Sequence, residues 1–167
     1  MGGPGSGRHW YSKKTTVEDC WTLDLNELIR HGLLNRSFGE VRWYRGGEET
    51  AYVNYWLKNM GFKEKEPVYS LTLCPSLICR GKRIPITQDI PLLTTELHSG
   101  GKRYWFSCPN CRRRVGKLHL PYGADRFLCR SCYDLTHRSC QEWHKFDWFF
   151  ARIGIHPSVG RRLFKRN

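Results

Sequence analysis

Two Cys-x-x-Cys pairs stand in the last third of this 167-residue chain: Cys108-Pro109-Asn110-Cys111, then seventeen residues, then Cys129-Arg130-Ser131-Cys132. Thiolates are soft ligands, and two such pairs at this separation are the pattern of a four-thiolate zinc site. The spacing has a mechanical reason. Each pair sits on a tight turn that aims both sulfurs at one point, and the residues between must bring the two turns together. Four thiolates close the tetrahedron and leave no position for water. The expected cofactor is therefore one structural Zn²⁺ held by Cys108, Cys111, Cys129 and Cys132. The remaining cysteines read differently. Cys74 and Cys79 would need two further ligands, and Cys20 and His98 offer themselves without a pattern, so they read as semi-buried thiols. His137 and Cys140 lie just past the second pair, where no ligand is missing.

Other chemistry is not legible. There is no Gly-rich loop ending in Gly-Lys-Ser/Thr, no His-Glu-x-x-His, no Gly-x-Ser-x-Gly and no His-x-Glu. His119, His137, His144 and His156 are scattered, and acidic residues are scarce where the basic ones cluster. The expectation is a protein that is not an enzyme and has no small-molecule substrate. The start, Met1 to Gly7, has no apolar run behind it and does not read as a secretory signal. No stretch approaches the roughly 18 apolar residues of a membrane span. Eight cysteines without a signal point to a reducing, cytoplasmic setting.

The charge is segregated. Residues 1–101 carry 13 Lys/Arg against 11 Asp/Glu, and residues 102–167 carry 15 against 4, so nearly all of the net +13 lies in the last 66 positions. Uniform basicity serves solubility, whereas segregated basicity suits a polyanion. Four thiolates with one Zn²⁺ sum to −2, which offsets about two of those positive charges and leaves ample excess.

These residues need elements to position them. Asp24 followed by Glu27 reads as a capping box, and Leu25, Leu28 and Ile29 give a helical stripe that Gly32 ends, so a helix is predicted over 25–31. The period then changes to two. Strands at 41–44 and 50–57 flank Gly46-Gly47 as a hairpin, and two more strands fall at 68–73 and 84–93, with Pro85 and Pro91 interrupting the last or confining it to an edge. Around the cysteines, strands are predicted at 102–107, 115–120 and 126–128, with a turn at Pro121–Asp125. Trp143, Phe146, Phe150 and Ile153 place a helix over 139–153. The fold class is α+β. Residues 1–14 form a Gly-rich basic arm, 15–101 a mainly antiparallel β domain with one short helix, 102–135 a zinc ribbon and 136–167 a basic aromatic helical tail.

Several of these segments together resemble a family of short zinc-ribbon proteins of bacteria, their phages and integrated mobile elements. The likeness rests on Gly2-Gly3-Pro4-Gly5-Ser6-Gly7-Arg8, Thr15-Thr16-Val17-Glu18-Asp19, Arg45-Gly46-Gly47-Glu48, Trp105-Phe106-Ser107-Cys108-Pro109 and Cys129-Arg130-Ser131-Cys132-Tyr133-Asp134-Leu135. It spans most of the chain and leaves the segment around Cys74–Arg83 uncovered. It implies a mobile-element origin, a C-terminal ribbon and N-terminal glycines that are native and not a cloning remnant. It brings no established activity.

Charge and site together give the functional expectation: a zinc-ribbon protein that binds DNA or RNA mainly through phosphate contacts. The candidate contacts are Arg112, Arg113 and Arg114 after the first cysteine pair, Lys117, Arg130 within the second pair, Lys102 and Arg103 on the strand leading in, and Arg161 and Arg162 in the tail. Three arginines on a strand alternate faces, so only some of that run would meet a partner. Tyr104, Trp105, Tyr122 and Tyr133 are candidates for base stacking, Trp105 and Tyr133 reading more readily as ribbon core. Gly5, Gly7 and Arg8 are candidates for close approach to a phosphate or a partner groove. The alternative is a protein-interaction factor, such as a phage-encoded inhibitor of a host defence or nucleic-acid-processing complex.

Overall fold

Alternation of apolar and polar residues from Phe38 onward drives a sheet, because period two puts one set of side chains on a common face. The computed structural model describes residues 13–63, 66–79 and 82–142, and in them the chain is mostly antiparallel β-structure with few helices. The elements in chain order are β1 (Trp21–Asp24), α1 (Leu25–Arg30), β2 (Phe38–Arg45), β3 (Glu48–Lys63), β4 (Glu66–Cys79) and β5 (Lys82–Ile84). They continue with β6 (Gln88–Glu96), β7 (Lys102–Ser107), β8 (Arg114–Val115), β9 (Lys117–Leu120) and α2 (Arg138–Glu142). Seven strands make one sheet in the order β2-β3-β4-β6-β7-β8, with β5 also on β4, and β1 pairs with β9 in a separate ribbon. No helix among the described residues is long and apolar enough to cross a membrane.

The local expectations are met where short-range chemistry decides. Asp24 caps α1 by accepting the Asn26 amide at 2.9 Å, and Gly32 takes φ +87° just past the end. Gly46 and Gly47 both have positive φ, 64° and 85°, which a two-residue hairpin turn with the right twist requires. Arg45 then faces Glu48 across the β2–β3 pair.

Three expectations need correction. The strand expected over 84–93 is two strands, β5 and β6, broken at Pro85; Pro91 remains inside β6. Pro91 lacks an amide proton and stands at a handover: Gln88–Pro91 pair with β4, and Leu92–Glu96 pair with β7. The strand expected over 115–120 divides at Gly116 into β8 and β9, which join different sheets. Arg126–Leu128 is not a strand but makes a single bridge, Leu128 to His119.

Strand pairing crosses the expected boundary between residues 101 and 102. β6 and β7 pair from Leu92–Phe106 to Glu96–Lys102 directly across it, and β1 from the first half pairs with β9 from the second. One buried cluster runs through both parts, including Leu23, Leu25, Val53, Leu73, Ile90, Phe106, Leu118 and Phe127. Trp43 stacks on Phe127 with ring centres 6.0 Å apart and donates its Nε1–H to the Thr22 carbonyl at 2.8 Å. Of the expected arm, residues 1–12 lie outside the described residues, as do residues 143–167 of the tail. Lys14 is tied down through an ion pair with Asp134.

Buried Gln88 acts as an extra piece of strand. Its Nε2 donates to the Phe127 carbonyl at 2.9 Å, and its Oε1 accepts the Phe127 amide at 2.8 Å. This pins the segment entering the second cysteine pair onto β6. Replacing Gln88 by Leu keeps the bulk but strands two buried peptide groups. It is expected to cost about 2–4 kcal/mol, read from the denaturation midpoint. An unchanged midpoint would show that the amide does not hold this segment.

Candidate metal centre

β7 ends at Ser107 and delivers Cys108 into a turn. The Cys108 amide donates to the Arg113 carbonyl at 3.0 Å, and the Arg112 amide donates to the Cys108 carbonyl at 2.8 Å. The chain then leaves as β8. The second turn is built the same way. Cys132 and Tyr133 both donate to the Cys129 carbonyl, at 3.1 and 3.3 Å, and Leu135 donates to Arg130 at 3.0 Å. Leu118 and Leu120 of β9 and Phe127 are buried beneath these turns, and the His119–Leu128 bridge ties β9 to the second turn's entry.

These turns bring Cys108, Cys111, Cys129 and Cys132 together, with all four sulfurs within 4.8 Å of one another. Two pairs run across the turns, Cys108 to Cys132 at 3.8 Å and Cys111 to Cys129 at 3.6 Å. A disulfide would need about 2.05 Å. A tetrahedral site with metal–sulfur bonds of about 2.3 Å has sulfur–sulfur edges of about 3.8 Å. The cluster therefore fits one metal ion and no disulfide. Among the described residues it is the one grouping of ligand side chains with this geometry.

The surroundings fit thiolate ligation. Burial pushes the Cys108 thiol up, but the amides of Cys111, Cys129 and Asn110 aimed at its sulfur outweigh that and bring it down to about 7. The Cys129 amide reaches Cys108 Sγ at 3.4 Å, and Asn110 Nδ2 reaches Cys132 Sγ at 3.4 Å. Burial and the neighbouring sulfurs push Cys129 up to about 12 and Cys132 upward as well. Four thiolates this close repel one another, and a bound cation is what lets them ionise together.

Cys20, Cys74 and Cys140 stay out of the cluster. Cys20 is buried and donates to the Thr16 carbonyl at 3.3 Å, and burial raises the thiol pKa of Cys20 to about 11 and also raises that of Cys74. Cys140 is exposed, and His137 faces Glu18.

The cations expected to bind a polyanion divide into two sets. Arg112, Arg113 and Arg130 are exposed and have no ion pair among the described residues. Arg114 is also exposed, with Nη1 donating to Thr95 Oγ1 at 3.3 Å. The run does not alternate along a strand as expected, because it rounds the turn and only Arg114 enters β8. Lys117 is engaged elsewhere, 2.7 Å from Asp24. Burial pushes the Asp24 carboxyl up, but the Lys117 ammonium and the Asn26 and Glu27 amides outweigh it and hold it below its usual range. Arg103 lies over the Trp105 ring, 4.1 Å from its centre. Lys102 faces Glu96 in register at the start of β7. Of the aromatic candidates, Tyr122 is 89% exposed, Tyr104 packs on the core, and Trp105 and Tyr133 are half-buried, Tyr133 donating to the Arg126 carbonyl. Gly5, Gly7, Arg8, Arg161 and Arg162 lie outside the described residues.

Sequence reasoning missed the backbone at Arg112. It has φ +57°, and with Asp134 at +49° it is one of two non-glycine residues with positive φ among those described. Each closes a cysteine turn. Asp tolerates this conformation, whereas Arg does so only at a cost of about 1–2 kcal/mol. No spacing in the sequence announces that cost.

The chain matches no family model, no curated protein and no solved structure with which it was compared.

Arg112→Gly relaxes the turn and preserves the amide bond to Cys108. Thermal denaturation is expected to show a gain of about 0.5–1 kcal/mol, the strain relieved less the entropy glycine adds to the unfolded chain. A loss of stability would show that the arginine side chain is itself a structural member.

Proposed function

We propose that the four cysteines hold one structural zinc ion in a zinc ribbon, and that the arginines around it bind the phosphate backbone of nucleic acid. The metal part rests on the sulfur spacing of 3.6 and 3.8 Å across the turns, together with a donor set of four soft ligands and no open position. The binding part rests on one observation. Among the described residues, Arg112, Arg113 and Arg130 are exposed, have no ion pair and stand on the two cysteine turns, which a bound ion would make rigid.

The strain at Arg112 supports the same reading. Glycine would close that turn at lower cost, and a residue that breaks a local rule at an exposed charged tip is expected where binding requires it. Rigid presentation matters because a phosphate contact gains more when the side chain's anchor is already ordered. Contacts of this kind give affinity and position with little sequence choice. Arg114 extends the surface along β8, and Arg103 on its Trp105 platform extends it along β7.

Metal analysis of purified protein is expected to give one zinc per chain, and Cys129→Ser to abolish it. Soluble, folded protein free of zinc would end the metal reading. For binding, Arg112→Ala with Arg130→Ala is expected to weaken affinity for any sequence at least tenfold and to reduce the salt slope by about two. Zinc content should not change. If the parent protein shows no salt-sensitive binding, the basic surface serves a protein partner, and capture of a host complex becomes the reading.

A further inference from the structure

His119 and His137 stand eighteen positions apart and form no motif, yet the fold brings them to one groove. The pairing of β1 with β9 sets Thr22 opposite His119, and Thr22 Oγ1 lies 3.0 Å from His119 Nδ1. The bridge between Thr16 and Thr136 sets Glu18 beside His137, with Glu18 Oε1 3.3 Å from His137 Nδ1. Glu18 is itself held by the Arg138 amide, 3.0 Å from its other oxygen. Each ring is thus tied back through Nδ1 to a fixed oxygen, which leaves Nε2 as the nitrogen available to a ligand. The cavity that both rings line has a volume of about 520 Å³, and Arg130, Lys117 and Trp43 complete its wall. It is large enough for a nucleotide unit.

A phosphodiester at this groove would meet Arg130 as its cation, because Lys117 is taken by Asp24. Two of the three carboxylates at the groove are already engaged, Asp24 by Lys117 and Glu18 by His137 and Arg138, leaving Glu27. Arg130 belongs to the same rim of arginines assigned above to phosphate contact. His119 is only 6% exposed, and burial, with Lys117, His137 and Arg130 around it and only Glu18 opposing, lowers its pKa, which favours the uncharged ring.

We propose that this groove cleaves RNA, with His119 and His137 as proton acceptor and proton donor on a phosphodiester that Arg130 holds. This rests on the nucleic-acid reading above. The ribose 2′-hydroxyl supplies the nucleophile, so the protein need provide only proton transfer and charge stabilisation. His119 Nε2 takes the proton from the 2′-hydroxyl as its oxygen bonds to phosphorus. The bond from phosphorus to the 5′-oxygen breaks, and His137 gives its Nε2 proton to that oxygen. The products are a 2′,3′-cyclic phosphate and a 5′-hydroxyl, with no oxidant, water or further reactant in the step. Arg130 faces the charge that develops on the non-bridging oxygens. Thr22 and Glu18 are positioning residues that fix the two rings.

The test uses the full-length protein with an end-labelled RNA oligonucleotide and the DNA of the same sequence, without added divalent metal. Binding and cleavage are measured separately. Cleavage of the RNA to 2′,3′-cyclic phosphate ends is expected, with the DNA bound and intact. His137→Ala is half-buried at the surface and is expected to keep its melting curve and RNA affinity while losing at least about 100-fold in cleavage rate. His119→Asn, which keeps a polar partner for Thr22, is expected to lose as much. RNA that is bound but uncut would overturn this proposal and leave the nucleic-acid reading standing. Failure to bind either strand would overturn both. Cleavage undiminished in both histidine variants would assign the activity to something other than this groove.

Discussion

Four sulfurs within 4.8 Å of one another cannot all be thiolates unless a cation sits among them, and that electrostatic constraint bears on both cysteine turns at once. The two cysteine turns are short, and each exits through a residue with positive φ, Arg112 and Asp134. A bound metal would convert that mutual repulsion into a cross-link between the two turns. What lies beneath then inherits that order: β9 is bridged to the second turn, β1 is paired to β9, and α1 starts directly from β1 with the Leu25 amide on the Gly116 carbonyl. The centre is therefore coupled to the first helix of the chain and not only to its own loops.

A second economy follows from the first. In the region that surrounds the sulfurs, some cations are consumed by structure and some are kept free of it. Lys117 secures the N-terminus of α1 through Asp24, and Arg103 covers Trp105. Arg112, Arg113 and Arg130 have no such employment and stand on the turns themselves. The positive φ at Arg112 shows that this placement has a conformational cost, in a turn where glycine would have none. Phosphate groups are the ligands that would repay several rigidly presented guanidinium groups at once.

Legibility from sequence followed the range of the interaction. The helix cap at Asp24, the Gly46-Gly47 hairpin and β7 at residues 102–107 are set by neighbours a few positions apart, and they stand where they were expected. The sulfur cluster was legible for a different reason: metal geometry imposes its own spacing on the chain. The strand pairing across residue 101 was not legible, because Gly100-Gly101 lies in the turn of a hairpin and such pairing leaves no local trace. The same holds for the partner exchange at Pro91 and for Gln88, whose amide looks like any polar residue on an alternating strand until Phe127 arrives from 39 positions away. His119 and His137 were read as scattered because only β1 pairing with β9, and Glu18 meeting the chain after the second cysteine turn, bring them to one groove.

The central claim is that the metal centre and the first half of the chain form one cooperative unit. Native-state hydrogen exchange before and after removal of the metal by a chelator tests it directly. The amides of Leu25, His119 and Leu128, bonded to Gly116, Leu128 and His119, report on β9 and its neighbours, while those of Arg112 and Leu135 report on the turns. Loss of protection at both groups together is the result expected of a metal that holds β9, and through it β1 and α1. Loss confined to Arg112 and Leu135, with Leu25 still protected, would contradict it and make the centre a self-contained appendage.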